Sequence, residues 1–185
     1  MKRSLLADKY LMNLKGVEIG GSCHNAFGLD TINVDYTDEM TTRFKEYEIE
    51  HCNGIPMPVD VVANGDNLPF KDEEYDFVIN SHVIEHFYDP IKAINEWLRV
   101  IKKGGYVFLI VPHKERTFDK PRPLTTLDEI IERRNKTIAV DLHSHHSVWN
   151  TEKFLELCKH FNYDVVDFQD VDDKVGNGFT IVIKK

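Results

Sequence analysis

The chain has 185 residues, with 23 Lys+Arg against 31 Asp+Glu and a formal net charge of −8. That length suits one domain, residues 1–185, with a full apolar core, and a 42% hydrophobic content excludes a disordered chain. The acidic balance disfavours nucleic acid and anionic membrane as partners, because like charge repels a polyanion; only Lys114 to Arg122 is locally basic. Met1–Lys9 starts basic but no long apolar run follows, so neither a signal peptide nor a membrane-spanning helix is expected. Cys23, Cys52 and Cys158 are odd in number and form no CxxC pair, and they read as reduced thiols of a cytoplasmic protein. Oligomeric state is not written in these features.

In chain order, short β-branched runs predict strands at Gly16–Gly20, Thr31–Asp35, Val59–Ala63 and Tyr75–Asn80. Several are apolar without alternation, the pattern of strands covered on both faces. Asp89-Pro90 is an N-cap followed by proline at the first helical position. Ile91, Ile94, Trp97, Leu98 and Ile101 then give a helical apolar stripe, stopped by Lys102-Lys103-Gly104-Gly105. A strand follows at Tyr106–Pro112. Thr126-Leu127-Asp128-Glu129 is a capping box opening a helix to about Arg134, and another helix runs from Asn150-Thr151 to His160.

The final strands, Tyr163–Phe168 and Phe179–Ile183, have no room for a helix between them and must pair antiparallel. The expected fold is therefore α/β, a Rossmann-like, seven-stranded, mostly parallel sheet with a C-terminal antiparallel hairpin. Residues 114–148 form an insert between the fifth strand and the last long helix, where such folds place a substrate cover.

Four pieces that bear chemistry fall at carboxyl ends of successive strands, where open α/β sheets bind ligands. Glu18-Ile19-Gly20-Gly21 leaves the first strand, and glycine there lets backbone approach a ligand closely. Asn33-Val34-Asp35 ends the second with an acid able to take both hydroxyls of a ribose. Gly65-Asp66-Asn67-Leu68-Pro69-Phe70 is a turn after the third, and Tyr75–Asn80 runs on into Ser81-His82-Val83-Ile84-Glu85-His86. Singly, each reads equally as a turn former or a solvated strand end. No G-x-G-x-x-G is present, and the acid follows too soon for a nicotinamide site.

The order E-I-G-G, N-V-D, G-D-N-L-P-F, Y-D-F-V, I-E-H and R-V-I-K-K-G-G resembles the class I S-adenosylmethionine-dependent methyltransferase superfamily over roughly residues 15–112. Val111–Asp119 also resembles a bacterial subgroup met beside glycan and capsule biosynthesis proteins. The resemblance implies S-adenosylmethionine as cofactor. Glu18, Gly20 and Gly21 would hold its methionine side, Asp35 the ribose, and Asp66, Asn67 and Leu68 the adenine. Asn80, Ser81 and His82 would close the methionine end. The implied reaction is methyl transfer to an oxygen or nitrogen of a small-molecule or glycan-related acceptor. One departure from the family pattern stands out. The later glycines of E-x-G-x-G-x-G are missing, and Gly20 and Asp35 are only 15 positions apart, which cuts the first crossover helix to about a turn.

Nine histidines remain to be placed. His113 follows the fifth strand, and with His145 and His146 it is the candidate for orienting or deprotonating an acceptor. His82 and His86 lie four apart, on one face if helical, and His86 reads best as a packed, backbone-capping residue. Asp141-Leu142-His143-Ser144-His145-His146 has spacing able to hold a divalent metal, but no second ligand group accompanies it, so no metal is expected there. Two alternatives stay open: a metal-dependent hydrolase using Asp141, His143, His145 and His146, and a non-catalytic ligand-binding relative of the fold.

Overall fold

A computed structural model describes residues 2–134, 136 and 143–185. Seven strands form one sheet in the order β3-β2-β1-β4-β5-β7-β6: β1 (Lys15–Ile19), β2 (Asp30–Asp35), β3 (Val61–Val62), β4 (Tyr75–Ser81), β5 (Ile101–Pro112), β6 (Asp164–Gln169) and β7 (Gly178–Lys184). Strands β1 to β5 are parallel, whereas β7 runs antiparallel to both β5 and β6. All seven predicted strands are present with shifted ends. Among the described residues no helix is long and apolar enough to cross a membrane.

The apolar strands are buried on both faces, as their lack of alternation implies. On one face Val17, Ile19, Val34, Val107 and Leu109 meet α3 (Pro90–Val100) and α5 (Thr151–His160) through Ile91, Ile94, Trp97, Phe154 and Leu157. On the other, Phe77, Ile79, Phe108, Ile110 and Val182 receive Leu6, Ala7 and Leu11 of α1 (Leu5–Leu11). Asp89 caps α3 by accepting from the amides of Ile91 (3.1 Å) and Lys92 (3.0 Å). The helix ends at Val100, earlier than its apolar stripe suggests, because Ile101 is drawn into register opposite Tyr75. Gly105 makes that approach possible: a Cβ there would lie 2.4 Å from the Asp76 carbonyl.

The insert contains α4 (Leu127–Arg133), opened by the expected Thr126–Glu129 capping box, with Ile130 buried in the core. Its two ends meet where the Lys114 amide donates to the Trp149 carbonyl (2.8 Å), and the Thr125 amide donates to the Val148 carbonyl (2.9 Å).

Two helices had no counterpart in the sequence reading. Helix α1 is held by its Ser4 cap, whose hydroxyl accepts from the Ala7 amide (3.0 Å). Lys9 and Tyr10 reach Asp167 at 2.7 and 2.9 Å, beside the irregularity where β6 shifts register against β7. Helix α2 (Arg43–His51) is inverted relative to an ordinary amphipathic helix. It buries Lys45 and Glu48 and exposes Phe44 and Tyr47, so no apolar stripe marks it.

One reading is corrected. Cys23 and Cys52 are not reduced thiols: they form a disulfide, with a Cα–Cα separation of 6.3 Å that lies within the range a disulfide spans. They are 29 positions apart in sequence. Only the crossover from β1 through β2 to the end of α2 brings them together, so spacing alone does not reveal the pair. The cytoplasmic reading rested on reduced thiols and loses that support. Cys158 is buried and free, its thiol pushed up to about 12 by burial.

Loop closure over this span is worth about 3–4 kcal/mol in the chain-entropy picture. Reducing the protein, or replacing Cys23 and Cys52 with serine, is expected to lower the thermal midpoint by on the order of 10 °C. Titration of all three thiols in the native, unreduced protein would show the bond does not form.

Candidate functional site

The parallel strands deliver Ile19, Asp35, Val62, Ser81 and Pro112 to one edge of the sheet, and the candidate residues line it. Gly20 leaves β1 with φ +65°, a conformation only glycine adopts without cost, and its amide donates to the Val34 carbonyl (2.8 Å). A Cβ on Gly20 would meet Val83 at 2.9 Å, and one on Gly21 would meet Asn33 Oδ1 at 2.7 Å and Glu18 Cδ at 3.0 Å. Backbone therefore occupies space that any other residue type would fill. The Gly21 amide donates to Asn33 Oδ1 (3.0 Å), and Asn33 Nδ2 donates to the Pro58 carbonyl (2.8 Å). Asn33 is fully buried and ties the glycine loop to the chain entering β3. Beneath the loop Glu18 accepts from the Thr31 hydroxyl (3.2 Å), and burial pushes its carboxyl up to about 7.

No helix follows the glycine loop; residues 20–29 run as turn and coil. A buried ion pair and the disulfide stand where that helix would be. Lys45 Nζ lies 2.9 Å from Glu48 Oε2, and Glu48 Oε1 accepts from the amides of Cys23 and Met57, both at 2.6 Å. Burial works against the Glu48 charge, but those amides and Lys45 hold the carboxyl below the ordinary range. The clamp fixes the far end of the loop beside Asp35. Asp35 accepts from the Tyr36 amide (2.7 Å) and is half-buried, which raises its carboxyl above the ordinary value.

At the third strand's turn, Trp97 Nε1 donates to the Gly65 carbonyl (2.8 Å) and anchors the turn to α3. Asp66 pairs with Lys92 at 2.9 Å and Asn67 is exposed. Leu68 serves the core: its side chain is buried, its amide donates to Glu96 (2.7 Å) and its carbonyl accepts from Arg99 (3.2 Å).

The end of β4 is different in kind. Asn80 is fully buried with neither amide atom hydrogen-bonded, and Ser81 Oγ and His82 Nε2 are buried without partners too. His82 has φ +57°, strained for a residue with a Cβ. Buried polar groups without partners cost free energy, so three in succession mark a place built for a polar ligand. Together with the glycine approach and the Asp35 carboxylate, the donor set fits the amino-acid and ribose ends of S-adenosylmethionine.

The histidines divide into two groups. His113 caps the 3₁₀ turn Lys114–Arg116 by accepting from the Glu115 amide at Nδ1 (3.1 Å). Its ring meets Phe179 edge-on and borders a cleft of about 420 Å³ with Asn150, Leu155, Phe168 and Asp170. His145 lies elsewhere, with Glu85, His86 and Asp119. Its Nδ1 is 2.7 Å from Asp119 Oδ2, and the His86 and His145 rings are 4.9 Å apart. The His146 amide donates to the Glu85 carbonyl (2.7 Å) and its ring packs edge-on to Tyr88. His143 packs against Phe44 of α2, which also touches His86; Asp141 lies outside the described residues. The second ligand group whose absence argued against a metal is thus supplied by Glu85 and His86. That grouping is invisible in sequence, because Glu85 sits in an ordinary-looking turn and Asp119 is 26 residues from His145.

The buried Glu18 gives a pH signature. Below its ordinary value of 4.5 both folded and unfolded chains hold the proton; between 4.5 and about 7 only the folded chain does. Stability is therefore lost as pH rises through this window, by about 3 kcal/mol in total. Glu18→Gln is expected to remove that slope, seen as the difference between wild-type and variant melting curves across the window. Parallel curves would mean Glu18 is ionised in the fold, held by Lys174 nearby.

Comparison with known proteins points to a methyltransferase domain. A profile of the methyltransferase-domain family matches residues 19–109. A protein of Methanocaldococcus jannaschii with no assigned activity is 37% identical over 98 residues, covering 51% of this chain and 43% of its own length. A probable tRNA methyltransferase 9B of Homo sapiens is 39% identical over 123 residues, covering 63% of this chain and 24% of its own. The chain thus spans less than half the length of these curated relatives. Among solved structures, a SAM-dependent methyltransferase of Methanosarcina mazei superposes with a TM-score of 0.60 at 17% identity, covering 100% of this chain and 99% of that one, which shows the shared fold. Residues 19–109 thus carry a methyltransferase domain of the class I S-adenosylmethionine-dependent kind, whose cofactor is S-adenosylmethionine.

Proposed function

We propose that this protein transfers a methyl group to an oxygen or nitrogen of a small-molecule or glycan-related acceptor held beneath the 114–148 insert. The observation that carries the reading is the run of buried, unpartnered polar atoms at Asn80, Ser81 and His82, facing the Gly20–Gly21 approach at the same sheet edge. Asn80 and its neighbours would hold the amino-acid end of the cofactor, Asp35 the ribose hydroxyls, and Asp66 the adenine amino group in exchange for Lys92. The bound sulfonium supplies an already activated methyl group, so the protein's task is alignment and exclusion of water. His145 and His146, in the returning end of the insert, border the acceptor. His113 stands apart from them and serves the cleft beside α5.

A tRNA acceptor, suggested by one relative's name, is the second reading. The charge of −8 weighs against it, and so do the insert's basic residues, which are already engaged. Arg116 pairs with Asp170, Arg122 with Asp119 and the His145 carbonyl, and Arg133 with the His146 carbonyl. Among the described residues of this segment, these three arginines are already committed to protein partners.

Calorimetric titration with S-adenosylhomocysteine is expected to show one site, weakened by about 1–3 kcal/mol in Asp35→Ala through lost charged hydrogen bonds. Absence of binding by the wild type would remove the enzyme reading in favour of a non-catalytic relative. Methyl transfer to bulk tRNA but to no sugar or small-molecule acceptor would overturn the acceptor class.

A further inference from the structure

Glu85 is wholly buried, and neither of its carboxylate oxygens accepts a hydrogen bond. A carboxylate in that state is costly unless something cationic meets it. Two histidine nitrogens lie close to it: His86 Nε2 and His145 Nε2, each 3.8 Å from Glu85 Oε1. That separation is too long for a hydrogen bond. The arrangement does not look like a proton-mediated contact that has merely relaxed.

The other nitrogen of each ring fixes the tautomer. His86 Nδ1 lies 3.2 Å from the Ser144 carbonyl and His145 Nδ1 lies 2.7 Å from an Asp119 carboxylate oxygen. Both partners only accept, so each Nδ1 carries the hydrogen and each Nε2 presents a lone pair. Two lone pairs and a carboxylate oxygen therefore point at one small volume, all within 4.8 Å of one another. Without a positive centre this is mutually repulsive. With one it is a ligand set: three donors at about 2.0–2.1 Å from a shared ion stand about 3.4 Å apart, a modest contraction from what is seen. The Asp119–His145 pair matches the carboxylate–histidine support that orients metal-bound imidazoles.

We infer that Glu85, His86 and His145 form a binding site for a divalent first-row transition ion of the zinc type, with Asp119 as the positioning residue behind His145. Two imidazoles and one carboxylate suit such an ion better than magnesium or calcium, which prefer all-oxygen shells. Three protein ligands leave coordination open, as in catalytic rather than structural sites. Phe118 stacks obliquely on His145 and Phe44 meets His86 edge-on, so aromatic rings wall the site between α2 and the insert. The site itself stands independently of the methyltransferase reading. Only its use rests on that reading: the open position lies under the insert, where an oxygen-bearing acceptor would bind the ion and be held for transfer.

The test uses untagged, full-length protein stripped with chelator and titrated with Zn²⁺ alone, with Co²⁺ as a spectroscopic probe. One equivalent is expected to bind, Co²⁺ giving visible ligand-field bands, and the thermal midpoint should rise with metal. His86→Ala and His145→Ala should each abolish binding, whereas His113→Ala should leave it intact. Asp119→Asn should weaken it by about 10–100-fold. If the alanine variants prove unstable, Glu85→Gln, which keeps the shape, should lose the Co²⁺ bands and the midpoint shift. Absence of stoichiometric binding by the wild type, or wild-type affinity retained in Glu85→Gln and His145→Ala, overturns the site. S-adenosylhomocysteine affinity is measured in the same samples. Its persistence where metal fails separates this inference from the methyltransferase reading.

Discussion

Ten residues separate β1 from β2, and that shortage governs the carboxyl edge of the sheet. A full crossover helix would hold the glycine loop by its own hydrogen bonds and lay an apolar face on the sheet. Here the loop is held by single polar contacts drawn from distant parts of the chain. Asn33 takes one end, the Glu48 carboxylate takes the Cys23 amide, and Lys174 Nζ donates to the Ala26 carbonyl (2.6 Å). Phe27 of the loop, edge-on to Phe108, packs on the sheet face beside α1. Each contact is specific and at least partly buried, so the loop is ordered by satisfaction of polar groups, with little contribution from helix formation.

This explains which parts of the protein were legible in its sequence. The strands announced themselves because an apolar run covered on both faces has no polar partner to disguise it. The cap at Asp89 and the box at Thr126–Glu129 were readable because capping is local, decided within four residues. Helix α2 was not, since its inward face is a charged pair whose value depends on Cys23 and Met57 elsewhere in the chain. Likewise the disulfide, and the meeting of Glu85 with His145, depend on topology rather than spacing.

The candidate site divides the same way. Gly20, Gly21, Asp35 and Asp66 are legible as candidates because strand ends predict where an open sheet binds. Leu68 was assigned to the base side, yet its backbone is spent on Glu96 and Arg99 of α3. A hydrophobic residue in a turn carries no mark telling whether it faces ligand or core. Asn33 shows the converse. It sits next to a residue chosen for function and reads as strand filler, but it is the hinge between the glycine loop and the approach to β3.

The irregularity in β6 has a consequence for how these molecules behave in company. An outer strand offers a row of amide and carbonyl groups to any other strand that comes alongside. At one margin the sheet ends in β3, two residues long. At the other, β6 is interrupted between Val165 and Asp167, and Asp167 is pinned by Lys9 and Tyr10 of α1. A short strand on one side and a kinked, charged one on the other leave no flat margin for stacking. The exposed Val166 and Phe168 are thereby kept from serving as a template for fibrillar growth.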